Sequence, residues 1–256
     1  MFLFLLGTIF SDQANATPPS PIPDQALYVT PLSDPFAPNS SLTVRSSSDS
    51  EIGVTGRLGI NQPLAQYNYG PIKLQVGLMA TAYMGFKSDG DMTFGLRTFD
   101  GIIGIPISAE TGDTIISLRW LHLSSHYADG IRLDSDMPSN IGATSQESLE
   151  VSLSKKWGWV TGHQRIEWRY HSVHETSPFV GGFGLDVCPE GRFAPYASAF
   201  LLGDLNGGGF SGEAGLMIEG DSPVRLGISG YTGRGIPGKL MDVTDKYLGL
   251  TFVFGN

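Results

Sequence analysis

The chain has 256 residues, a formal net charge of −9, charged residues at only 16% and glycine at 34 positions. That length suits one large domain, the acidic balance argues against nucleic acid as a partner, and the single cysteine, Cys188, excludes an intrachain disulfide framework. A mean hydropathy of −0.01 fits alternating apolar and polar positions better than one continuous core, and no internal apolar run is long enough to cross a bilayer as a helix.

In chain order, residues 2–10 form a short apolar segment, followed by polar residues and Ala14-Asn15-Ala16, an A-x-A cleavage pattern. The expectation is a signal peptide over 1–16, whose removal takes away Asp12 alone among the charged residues and leaves −8. It lacks a basic n-region, and the competing reading is an ordinary hydrophobic N-terminus. Segment 17–38, rich in Pro, Ser and Asp, reads as an extended lead-in.

From residue 39 the dominant signal is period-two alternation. Ile72, Leu74, Val76, Leu78, Ala80, Ala82, Met84 and Phe86 make one oily face, with Lys73, Gln75, Gly77, Thr81 and Tyr83 between them. The pattern predicts strands over 39–47, 51–62, 71–86, 95–109, 113–126, 145–157, 163–174, 178–187, 193–203, 209–219, 223–234 and 244–254. Connectors 110–112, 158–162, 188–192 and 220–222 are short, whereas 87–94, 127–144 and 235–243 are longer and carry more Asp, Gly and Pro. Twelve strands with short and long ends alternating, and an aromatic-ended last strand, predict an all-β, twelve-stranded antiparallel transmembrane barrel over 39–254 in the bacterial outer membrane, with short periplasmic turns and longer extracellular loops. Arg119, Glu150, Arg165, Glu167 and Arg169 then line its lumen. A soluble β-sandwich also alternates, but must bury one face of every strand against a second sheet. Expected partners are membrane lipids and, during biogenesis, the barrel-assembly machinery.

Three segments carry a resemblance: Leu32-Ser33-Asp34-Pro35-Phe36-Ala37-Pro38, then Leu118 through His126, and the closing stretches Tyr231 to Lys239 and Lys246 to Leu250. They resemble an uncharacterised family of exported bacterial proteins, known only as a domain of unknown function, over most of residues 32–254. The resemblance implies a barrel and lends no activity. Its most specific piece is the H-x-S-S-H strand, His122 to His126; after it the chain has Tyr127-Ala128-Asp129-Gly130 where that family continues with Gly-Asp-Glu.

Chemistry concentrates on the same strand. His122 and Ser124 share the oily face with Ile116, Leu118 and Trp120, about 7 Å apart at the backbone, so an imidazole can accept the serine proton. A third group should hold the imidazole's tautomer. Glu147, on the next strand and of the same parity as Leu149, Val151 and Leu153, falls at that level. The arrangement resembles the outer-membrane phospholipases A and lipid A deacylases, both of which use a strand-borne H-x-S; the phospholipases complete it with Asn and the deacylases with Glu. Here Ser125-His126 replaces the small Asn-Gly pair usual after that serine. The expected function is hydrolysis of acyl esters of outer-leaflet lipid by Ser124, His122 and Glu147; the alternative is a non-catalytic structural or solute-passing barrel. No cofactor is expected. Asp129, Asp134 and Asp136 offer oxygen ligands for calcium but lack the alternation and terminal Glu of a calcium loop. His163, His171 and His174 read as interfacial or loop residues, and Trp120, Trp157, Trp159, Trp168 and Tyr170 as aromatic girdles.

Overall fold

The computed structural model describes residues 20–21, 23, 25–47, 52–88, 94–127, 144–173, 177–205, 207–220, 223–234 and 244–255. The expected signal peptide over 1–16, the aspartates Asp129, Asp134 and Asp136, and His174 lie outside the described residues. A two-residue bridge, β1 (Ser20–Pro21), precedes twelve strands: β2 (Ser40–Ser47), β3 (Ile52–Tyr69), β4 (Ile72–Ser88), β5 (Phe94–Thr111), β6 (Thr114–Tyr127), β7 (Thr144–Trp157), β8 (Val160–Ser172), β9 (Phe179–Val187), β10 (Phe193–Asp204), β11 (Gly207–Ile218), β12 (Val224–Arg234) and β13 (Thr244–Phe254). From β2 onward each strand pairs antiparallel with its sequence neighbours, and β13 returns to β2 in register from Tyr247↔Ser47 to Phe254↔Ser40. The sheet closes on itself, which removes its edges and rules out a two-sheet sandwich.

Strand boundaries agree with the alternation to within three residues, except that β3 continues to Tyr69 instead of stopping near 62. Pro63 is the reason. A proline lacks the ladder donor and reads as a strand end, but here the β3–β4 register shifts between Pro63 and Ala65, a bulge that absorbs the proline and lets pairing resume. At one end of the barrel the turns are tight: Gly112 (φ 55) and Gly158 (φ 60) adopt the left-handed conformation that two-residue hairpins require.

The outer face is apolar. Leu74, Val76 and Leu78 of β4, Ile103, Ile105 and Ile107 of β5, and Ile116 and Leu118 of β6 are all exposed. A closed barrel that turns this face outward needs a hydrocarbon solvent, and closure pairs edge strands whose ladder groups lipid could not satisfy. Exposed aromatics gather toward both rims: Trp157, Trp159, Phe193 and Phe254 at the tight-turn end, and Trp168, Tyr170 and Phe210 toward the other, as in interfacial girdles.

The expected lead-in does more than precede the barrel: residues 25–39 form a strap inside the lumen. The Leu27 amide donates to Gln75 Oε1 at 2.7 Å, and Asn61 donates to the Tyr28 carbonyl at 2.9 Å. The Leu32 amide donates to both Asp186 carboxylate oxygens, the Ser33 amide to Ser198 Oγ, and Ser211 Oγ to the Ser33 carbonyl. Asp34, only 1% exposed, accepts from Arg165 at 2.6 Å. Around this pair, Arg119 meets Glu150 at 2.7 Å and lies over the Tyr28 ring at 4.6 Å. The lumenal charges are therefore paired and hydrogen-bonded, the condition under which ions tolerate burial. Tyr28 and Phe36 of the strap also pack against Met79, Tyr83, Ile102, Leu121 and Leu123, a small apolar core inside the barrel.

The strap lies so close to β3 that Gly59 has no room for a side chain: a Cβ there would sit 2.5 Å from the Pro38 carbonyl carbon and 2.7 Å from the Asn39 amide nitrogen. Both contacts are backbone and cannot yield by rotamer change. Gly59→Val is accordingly expected to displace the strap. Limited proteolysis read by mass spectrometry should cleave the variant within 25–39 and spare the wild type; equal protection in both would mean the strap accommodates the new methyls.

Candidate functional site

Register, more than any single residue, assembles the site. In the β6–β7 ladder His122 stands directly opposite Glu147, and Ser124 opposite Ser145. All four belong to the outward-facing series, with Leu121, Leu123 and Ser125 turned inward between them. His122 Nδ1 and Glu147 Oε1 approach to 3.8 Å, each about one-third exposed. That is ion-pair range but longer than a hydrogen bond, and the imidazole nitrogen nearest the carboxylate is the one an orienting acid would hold.

Ser124 does not rest on His122. Its hydroxyl is 2.8 Å from His126 Nε2, on the same strand and the same face. The serine thus lies between two outward histidines, one already bonded to it and the other facing a carboxylate. His126 is the residue sequence reasoning passed over, although its parity with His122 and Ser124 was visible in H-x-S-S-H. On the β5 side Ser124 pairs with Gly101, where a Cβ would meet nothing within 4 Å. The outer wall is therefore open beside the hydroxyl, with exposed Phe99 and Ile103 flanking the gap.

The second serine of the motif has a different task. Ser125 is fully buried on the lumenal side and hydrogen-bonded to Asp100 of β5, while Gln146, behind Glu147, donates to Glu167 at 3.1 Å. These contacts fasten β6 to β5 and β7 to β8 from within at the level of the outer constellation. Arg119, Glu150, Arg165 and Glu167 are buried in the lumen, as their parity requires, and Arg169 joins them through Glu167 at 3.3 Å.

His163 departs from expectation. It is buried in the lumen and not interfacial, with Nδ1 2.9 Å from Ser154 Oγ and Nε2 3.0 Å from Asp186. The residue types are those of a hydrolytic triad, but all three are under 10% exposed and Asp186 also holds the strap amide of Leu32, so the cluster is a clasp. The signal was available: His163 has the parity of Arg165 and Glu167. His171, by contrast, is exposed on the outer face. Burial pushes the Cys188 thiol up, as does nearby Glu219, which keeps it protonated and poorly nucleophilic. Among the described residues no group of three or more His, Cys, Asp or Glu could hold a metal ion.

No family model and no curated protein matches the chain, so the resemblance to the uncharacterised exported family rests on its sequence segments. Solved structures do match. The calcium-bound outer membrane phospholipase dimer of Salmonella typhi aligns with a TM-score of 0.63 and 15% identity, over 87% of this chain and 93% of that one. Outer membrane phospholipase A from Escherichia coli aligns with 0.61 and 15% identity, over 86% and 97%. This chain has the fold of an outer-membrane barrel. An active-site mutant of the Escherichia coli enzyme also aligns, with a TM-score of 0.63 and 15% identity over 91% of this chain and 94% of that one. At this identity the likeness establishes architecture, and activity must be argued from the outer-face residues.

Proposed function

We propose that this barrel hydrolyses acyl esters of outer-leaflet lipid, phospholipid or lipid A, at Ser124. The observation that carries the reading is the direct cross-strand pairing of His122 with Glu147, two residues from an outward serine on a lipid-facing wall. Ser124 Oγ attacks the ester carbonyl carbon and its proton passes to His122 Nε2. The C–O bond to the glycerol or sugar oxygen then breaks, that oxygen leaves with the proton, and water releases the fatty acid from the acyl-serine by the same base. Glu147 holds Nδ1 and stabilises the imidazolium. Ser124 reaches His122 by leaving His126 through rotation about χ1, since both histidines lie two residues away on one face.

The similarity to phospholipase structures supports the architecture this needs, and the strap with its ion pairs across the lumen speaks against a solute-passing role. The test is mass spectrometry of phospholipid and lipid A incubated with purified barrel, with and without calcium, because the Salmonella typhi phospholipase holds that ion. Absence of fatty-acid release under every condition would overturn the reading. The two histidines separate in the same assay: His122→Ala should lower the rate by about a thousandfold or more, whereas His126→Ala, which removes only a resting partner, should change it by less than about tenfold. The reverse order would make His126 the base.

A further inference from the structure

The outer wall next to His122 contains a defect in an otherwise regular ladder. On β8, His171 pairs with Glu147 and Arg169 with Ser148, so Tyr170 is an extra residue between them. Such bulges re-aim side chains and recur beside active sites. Here the consequence is specific: Trp168, Tyr170 and His171 are all exposed on the outer face, although strict alternation cannot place two consecutive residues there.

The bulge turns His171 outward, while Tyr170 keeps the parity of Ile166 and Trp168 and reaches across β7. Its hydroxyl accepts a hydrogen bond from Trp120 Nε1 at 2.8 Å, joining β8 to β6 over the strand that carries Glu147. Adjacent strands stand about 4.8 Å apart, so only two long side chains leaning toward each other can make this span. The Trp120 indole in turn lies nearly parallel to the His122 ring, with centroids 6.4 Å apart and planes inclined 24°. On its other side Tyr170 meets Trp168 at a ring separation of 5.7 Å.

We infer that Tyr170 is a positioning residue, which, through Trp120, sets the plane of the His122 ring so that Nδ1 faces Glu147. An indole carries a single donor and no acceptor, so the hydroxyl that receives it fixes the orientation of the whole ring. The fixed indole then bounds the rotation of the imidazole beside it. A 3.8 Å separation between Nδ1 and Glu147 leaves the carboxylate a weak hold by itself, and the aromatic wall supplies the remaining restraint. This inference rests on the proposed acyl hydrolase reading for its catalytic meaning, but the ring geometry is measurable without any turnover.

The experiment uses the full-length folded barrel in detergent, labelled with ¹⁵N-histidine, with His122→Ala to assign the His122 signals. Tyr170→Phe removes only the acceptor and Trp120→Phe removes the donor while keeping a ring beside His122; heat-modifiable migration on gels establishes that each variant is folded. In both, the His122 nitrogen signals should move toward tautomer exchange while those of His163 stay in place. On a lipid ester substrate, kcat should fall about tenfold with KM unchanged, and the double variant should lose no more than either single variant, the signature of one shared interaction. Unchanged His122 signals in both variants, or losses that multiply in the double variant, would overturn the positioning role. If wild type releases no fatty acid, the hydrolase reading fails and the nitrogen signals still decide the inference.

Discussion

Ser124→Ala is expected to abolish fatty-acid release from lipid while leaving a folded, heat-modifiable barrel. Removing the nucleophile from a serine–histidine–acid constellation costs several powers of ten, on the order of 10⁴-fold or more, because the acyl-serine can no longer form. The barrel should not notice. Ser124 is outward, its hydroxyl engages only His126 among the described residues, and its ladder neighbours Gly101 and Ser145 contribute backbone pairing that alanine preserves. Ser125→Ala, one residue along, should show the contrasting phenotype: it removes the buried hydrogen bond to Asp100 and lowers thermal stability, with activity reduced only through the looser β5–β6 contact. Liquid chromatography with mass spectrometry of released acyl chains, beside gel-shift melting of the two variants, checks both. Equal release by wild type and Ser124→Ala would remove Ser124 from the chemistry.

The second large effect lies inside the barrel. Asp34→Ala should destabilise the protein by about 3 kcal/mol, since breaking one side of a buried ion pair leaves an uncompensated charge. Arg165 is the charge left behind. Its next carboxylate, Glu150, is 3.8 Å away and already committed to Arg119 at 2.7 Å, so two guanidiniums would share one acid. The strap should loosen, because Asp34 also accepts the Phe36 amide at 2.9 Å and shapes the turn there. A lower midpoint of heat modification and new conductance steps in planar bilayers, against a silent wild type, are the expected results. An unchanged midpoint would mean the strap is held by its backbone contacts alone.

Much of this architecture was legible in the sequence because lipid and lumen impose opposite demands on successive residues. The series Ile72 to Phe86 needs no tertiary information to declare one face. Legibility fails where a third component intervenes. Leu121 and Leu123 make the lumenal side of β6 as apolar as its outer side, which alternation cannot explain; the strap residues Tyr28 and Phe36 explain it. A proline-rich lead-in gives no hint that it turns inward, because its partners are scattered along the whole chain, from Asn61 and Gln75 on β3 and β4 to Arg225 on β12. At the site, parity placed His122, Ser124 and Glu147 together correctly, and register brought two of them face to face. What parity could not settle was the choice of partner for Ser124 between two histidines of equal spacing, nor the bulge at Tyr170, since one inserted residue leaves no mark in composition.

The strap has a consequence for how the chain assembles. It is made before the barrel strands, yet six of its polar partners, Glu150, Arg165, Asp186, Ser198, Ser211 and Arg225, belong to β7 through β12, at separations of 122 to 193 residues. Hairpins between neighbouring strands can form locally and β3 and β4 already offer the strap Asn61 and Gln75, but its contacts to β7 through β12 must wait until most of the sheet exists. The pairing of β13 with β2 leaves it enclosed. The seam joins the strand immediately after the strap to the last strand of the chain, so one event completes the ladder and encloses the filling. The strap is thus made before the strands that enclose it, and its anchorage is complete only when the last of them are in place.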